Sequence, residues 1–170
     1  MGYTHYWYRT PVLSTPHFQR WALDVQRLHN YLPPRTTSGG GHYPDKRLSV
    51  HGPGGHGEAV ITPDLVAFNG RNGGRSAVDD LAHETFYVPR QMEAEAHRTV
   101  DEHGRVFEFC KTGRKPYDLL VTAALIALKQ HIPHVRVLSD GDAAEWEEGI
   151  ALTRRVLNYG ELPFGGRQRG

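Results

Sequence analysis

Phe107-Glu108-Phe109-Cys110-Lys111-Thr112-Gly113-Arg114-Lys115-Pro116-Tyr117-Asp118 runs from a strand pattern through a cationic turn into a strongly apolar segment. Leu119 to Leu128 is apolar nearly all round, interrupted by Thr122, which predicts a largely buried helix from Pro116 to about His131. Pro116 suits the first position of that helix, where a missing N–H costs nothing, and Gly113 permits a positive φ just upstream. Pro133 ends the helix, and Val135-Arg136-Val137-Leu138 reads as a strand. A strand at 106–110, a buried helix and a strand at 135–138 predict one right-handed parallel crossover packed on a sheet.

Upstream, Tyr3 to Arg9 alternates aromatic and polar residues and reads as a first strand whose aromatics reach the core. After it, Ser14 or Thr15 caps a helix with Pro16 in its first turn, and Phe18, Trp21, Ala22, Val25, Leu28 and Leu32 recur at helical spacing. Pro33-Pro34 ends it, and Thr36 to Gly41 is loop. Leu48-Ser49-Val50, Ala59-Val60-Ile61 and Leu65-Val66-Ala67-Phe68 are short apolar runs between turns, which predicts an antiparallel meander. Glu84 to Val88 adds a strand, and the Asp101–Gly104 turn suits a hairpin between 93–100 and 106–109, with helix open as an alternative for the first arm. Downstream, Asp142 and Glu145 have the spacing of a capping box opening a last helix, with Trp146, Ile150, Thr153 and Leu157 on one face and Gly160 at its end.

These elements predict a single α+β domain over 1–164, a mixed, mostly antiparallel sheet packed against about three helices, with a flexible tail over 165–170. The length suits one core. Twenty basic and nineteen acidic residues nearly cancel, so no overall field draws the chain to nucleic acid or an anionic membrane, and a nucleic-acid reading has to rest on a local patch. The longest apolar stretch is too short to span a bilayer, the opening residues do not read as a signal peptide, and a single cysteine suits a reducing compartment. A cytoplasmic protein is the expectation, with a homo-oligomer or a host-protein partner as open possibilities.

Five segments together resemble an uncharacterised family of small phage and bacterial proteins: Met1-Gly2-Tyr3-Thr4-His5-Tyr6-Trp7, Ala67-Phe68-Asn69-Gly70, His83-Glu84-Thr85-Phe86, Phe109 to Asp118, and Ser139-Asp140-Gly141-Asp142 followed by Trp146. The similarity spans nearly the whole chain and is most specific at the opening and at Cys110 to Asp118. No activity is established for that family, so the resemblance implies provenance, a phage accessory role in a host cytoplasm, and carries over no functional residue.

The chemistry rests on Lys111, Arg114 and Lys115, three cations at a helix start, where free N–H groups and positive side chains attract phosphate or carboxylate. No P-loop pattern is present, and Asp118 in the first helical turn competes with an anion for the same N–H groups. His83 and Arg90 are candidate polar contacts and Tyr6 or Tyr117 candidate stacking surfaces, with glycine loops at 39–41, 52–57 and 70–74 able to close over a ligand. The expected function is non-catalytic binding of a phosphorylated or other anionic small molecule, a nucleotide fitting best, without a cofactor. One alternative is a phosphodiesterase or nucleotide hydrolase using His83 or His97, since His83-Glu84-Thr85 and His97-Arg98-Thr99 resemble the paired motifs of two-histidine phosphodiesterases. Those copies lie only fourteen residues apart, too close for symmetry-related halves of a fold. The other alternative is a host-protein interaction module. No zinc or EF-hand spacing occurs among the eleven histidines and the acids, and Cys110 at the end of an apolar strand reads as a buried, inert thiol.

Overall fold

The computed structural model describes residues 2–36, 47–76, 79–93 and 100–165, so the glycines at 39–41, the second His-x-Thr copy and residues 166–170 lie outside it. In chain order the elements are β1 (Thr4–Arg9), α1 (Thr15–Asn30), β2 (Val50–His51), β3 (Val60–Ile61), β4 (Leu65–Gly70), β5 (Phe86–Pro89), β6 (Val106–Lys111), α2 (Asp118–His131), β7 (Arg136–Ser139) and α3 (Ala143–Leu157). They form a single-domain α+β fold.

The strands divide between two antiparallel sheets instead of joining one mixed sheet. One has the order β6-β1-β7, with β1 antiparallel to both neighbours. It follows that β6 and β7 run parallel to each other, as a crossover through α2 requires, but β1 is inserted between them. Its alternation explains the placement: Tyr3, His5, Trp7 and Arg9 are buried on one face while Tyr6 and Tyr8 point to the other. In the second sheet β4 is central and buried from Val66 to Gly70, and β2, β3 and β5 all pair with it.

The helices lie against one another, with α2 in contact with both α1 and α3. None of Leu119 to Leu128 is more than 3% exposed, which is why this segment shows no polar face. On α1, Phe18, Trp21, Ala22, Val25 and Leu28 turn inward, and the Trp21 indole donates to the Ala124 carbonyl at 2.9 Å, so its polar atom is satisfied in the core. Leu32 lies beyond the end of α1 but still packs on that core. Trp7 joins the two sheets by packing on Phe86, 5.3 Å between centroids, and Phe68 also packs on Phe86 at 5.0 Å. Full burial of each phenylalanine contributes roughly 1.5–3 kcal/mol.

Two local details differ from the sequence pattern. Asp142 caps α3 by accepting from the Glu145 N–H at 3.0 Å, but the capping box is not reciprocal, because the Glu145 carboxylate is taken by Arg114. The helix is closed by Asn158 at φ 63, not by Gly160; asparagine is the other residue that tolerates the left-handed position. Arg9 has a role no local pattern suggested. Its buried guanidinium donates to the carbonyls of Pro11 at 3.2 Å, Arg90 at 3.0 Å and Pro89, tying the end of β1 to the end of β5.

Candidate functional site

The turn between β6 and α2 folds on itself. The Lys115 N–H donates to the Thr112 carbonyl at 3.1 Å across Gly113 at φ 60 and Arg114 at φ 59, a pair of left-handed residues of the kind a type I′ turn demands. Glycine takes this conformation freely, whereas for Arg114 it costs roughly 1–2 kcal/mol. Two contacts hold Arg114 there: its Nε donates to Glu145 Oε2 at 3.0 Å, and its guanidinium lies 4.3 Å from the centroid of the Tyr3 ring. Pro116 lies upstream of α2 instead of opening it; a further turn, with Asp118 N–H on the Lys115 carbonyl at 2.9 Å, comes first.

This geometry engages the groups expected to face an anion. The N–H groups of Thr112 and Gly113 donate to the Tyr3 carbonyl at 3.1 and 3.2 Å. The Lys115 ammonium donates to the Asp80 carbonyl. Tyr117 is 1% exposed, its hydroxyl donates to the Glu84 carbonyl, and burial pushes its phenol up, so its ring belongs to the core and offers no stacking surface. Arg90 is not brought to the junction. It pairs with Asp64 at 2.9 Å, and both registers place it at the far end, since Pro89 opposes Leu65 at the start of β4 and Arg9 closes β1. His83 is exposed and its ring lies against Gly113. Lys111 lies along Gly2, where an added Cβ would approach its Cε to 2.9 Å.

Beneath the turn is a buried polar chain. Asp118 Oδ1 accepts from Thr112 Oγ1 and meets His5 Nε2, both at 2.6 Å, and His5 Nδ1 meets Ser139 Oγ at 2.8 Å. Ser139 Oγ also accepts from Trp146 Nε1 at 3.0 Å and from the Gly141 N–H at 2.9 Å. Serine, histidine and aspartate thus line up, but His5 is 0% and Ser139 5% exposed, so the chain ties β6, β1, β7 and α3 together beneath the surface. Asp118 faces this interior and is no helix cap for an anion to displace.

The other face of the same sheet carries a second arrangement. Directly opposed residues share a face, so the registers place Lys111 beside Thr4, then Phe109, Tyr6 and Leu138 in one row, then Phe107, Tyr8 and Arg136 in the next. Phe109 is 54% exposed, and Tyr6, Tyr8 and Phe107 are half-buried. The rings form one layer: Tyr6 stacks on Phe107 at 5.9 Å, Tyr8 meets Phe107 at 5.2 Å and Phe107 meets Phe109 at 5.8 Å. The Arg136 guanidinium lies 5.8 Å from the Tyr8 centroid. Asp140, at the Thr4 end, accepts from the Thr4 N–H at 3.0 Å and the Tyr6 hydroxyl at 3.1 Å.

Sequence reasoning selected Tyr6 and Lys111 on this face and left out Phe107, Phe109 and Arg136. Their strands were recognised, but which side chains share a face depends on a register that only the folded sheet supplies. Cys110 is buried, and desolvation, with the charges of Glu84 and Asp118, pushes its thiol up, which makes it inert. Among the described residues no group of three or more histidine, cysteine, aspartate or glutamate side chains is placed to hold a metal ion, and no helix is long and apolar enough to cross a membrane. Comparison with protein-family models, curated proteins and solved structures gives no significant match.

Proposed function

We propose that this protein binds a phosphorylated small molecule, a nucleotide fitting best, and does not turn it over. The observation that carries the reading is the placement of Lys111 at the end of an exposed aromatic layer, one row from Phe109 and Tyr6 on the same sheet face. A base stacks on Phe109 or Tyr6, since every base has a π-face, and the Lys111 ammonium meets the phosphate. His83, beside Gly113, gives a further polar contact at that end. Arg114 and Lys115 hold the turn in shape, so their effect on the ligand is long-range charge.

The interior serine, histidine and aspartate are no part of the proposed site. Ser139 is buried beneath the turn, its oxygen already accepting from two fixed donors, which does not suit a nucleophile. A phage accessory role that sequesters a host nucleotide follows from the family resemblance alone and is proposed as such. Differential scanning fluorimetry and native mass spectrometry against a nucleotide panel test the reading. Lys111→Ala should weaken binding by roughly tenfold, the scale of one charge-assisted hydrogen bond. An absence of ligand-dependent stabilisation, or unchanged binding in a Lys111→Ala/Phe109→Ala double variant, refutes it.

A further inference from the structure

Resting on the nucleotide reading, we infer that the aromatic face of the β6-β1-β7 sheet takes single-stranded nucleic acid, several nucleotides long, and not one nucleotide alone. The face has more stacking surface than one base covers, since Phe109, Tyr6, Phe107 and Tyr8 form a layer two rows deep. Its cations stand at opposite corners. From Lys111 to Arg136 is two strand spacings across and four residues along, roughly 17 Å on standard sheet dimensions. A single nucleotide with its base on this layer brings phosphate to one of them; a strand running diagonally over the rings brings phosphates to both. This is the local patch that the nearly balanced net charge left as the one route to a nucleic-acid function.

Charge also chooses the occupant. The acids bordering this face that the geometry locates are both engaged, Asp140 with Thr4 and Tyr6 and Glu84 with the Lys111 N–H at 2.7 Å, so a second copy of the chain would meet Lys111 and Arg136 with the same two cations and little to match them. A polyanion complements both. Unpaired bases rather than duplex edges are read, because rings displayed on a sheet face stack on bases that are not already paired.

Fluorescence anisotropy with labelled oligouridylate and oligothymidylate of about twelve residues, a duplex of equal length, and unlabelled mononucleotides as competitors tests this. Both single strands should bind at least tenfold tighter than the duplex and than any mononucleotide. Phe109→Ala should weaken the oligonucleotide by roughly fivefold or more, and Arg136→Ala should flatten the salt dependence by about one unit of slope. Phe109 is exposed, so retained far-UV circular dichroism confirms that its variant folds. Mononucleotides binding as tightly as the oligomers overturn this inference and leave the nucleotide reading standing; no binding of either overturns both. Equal affinity for duplex and single strand, with no loss in Phe109→Ala, reduces the effect to bulk charge and overturns it. So does a concentration-dependent dimer by light scattering that dissociates in Phe109→Ala while no oligonucleotide binds.

Discussion

Ser139→Ala probes the buried chain that holds the β6–α2 turn in place. The hydroxyl's partners include His5 Nδ1 at 2.8 Å, Gly141 N at 2.9 Å and Trp146 Nε1 at 3.0 Å. The substitution creates almost no cavity, but it orphans an amide, an indole N–H and an imidazole nitrogen where Trp146 and His5 are 0% exposed and water has little access. Each orphaned group costs about 1–3 kcal/mol, and because the three share one oxygen the penalties do not add in full, which gives about 3–5 kcal/mol. For a chain of this length that lowers the midpoint by roughly 10 °C. Ser14→Ala is the control. Ser14 occupies the cap position of α1, where sequence rules assign a cost near 1 kcal/mol, but its side chain makes no cap hydrogen bond, so a change within about 0.5 kcal/mol is expected. Urea unfolding followed by circular dichroism, with calorimetric melting alongside, measures both. A Ser139→Ala loss below about 1 kcal/mol, or one equal to that of Ser14→Ala, would refute the reasoning.

Gly149→Ala sets helix propensity, which favours alanine by about 1 kcal/mol, against a Cβ that would overlap the Thr122 side chain of α2, 2.3 Å from Oγ1 and 3.0 Å from its Cβ. Overlap in a closed helix contact should win, with a net loss of about 1–3 kcal/mol by chemical denaturation; a stabilised variant would show that α2 and α3 move apart easily. At Arg114, replacement by glycine relieves the left-handed backbone while losing the Glu145 pair and the Tyr3 contact, so stability should stay within about 1 kcal/mol, whereas alanine loses both contacts and keeps the strain. Equal stabilities for the two variants would contradict a left-handed Arg114. Burial pushes the phenols of Tyr3 and Tyr117 above their ordinary value of 10.0, and burial with the Asp24 contact does the same for Tyr159. A folded pKa above the unfolded one means stability that is complete below about pH 10 and lost progressively as pH rises beyond that value towards the folded pKa. Ultraviolet difference titration should show only some of the eight tyrosines ionising near pH 10, the rest appearing with the loss of circular dichroism; one smooth phase for all eight would contradict the burial.

Much of the fold was legible because the strongest local signals were also global ones. The helix at Leu119 to Leu128 announced its burial by lacking a polar face, and the alternation of Tyr3 to Arg9 announced a strand with two different sides. The insertion of β1 between β6 and β7 was not legible, because strand order is set by pairing between segments about a hundred residues apart and leaves no mark in either. The site divides in the same way. A positive φ at Gly113 and a competing carboxylate at Asp118 were visible locally. Its long-range partner was not, since His5 reaches it from the start of the sequence, and Ser139 joins the same hydrogen-bonded chain through His5. Glu145 looked like the second half of a capping box until Arg114, three-dimensionally adjacent, claimed its carboxylate. Phe107, Phe109 and Arg136 became candidates only when the register placed them beside Tyr6 and Tyr8.

The central claim, that the sheet face beginning at Lys111 is a nucleotide-binding surface, is tested most directly by amide chemical-shift mapping on isotope-labelled protein during a nucleotide titration. Saturable shifts should concentrate in Thr4–Tyr8, Phe107–Thr112 and Arg136–Asp140 and leave α1 unmoved. Shifts that centre on the helices, or an unchanged spectrum at millimolar nucleotide, would contradict the claim.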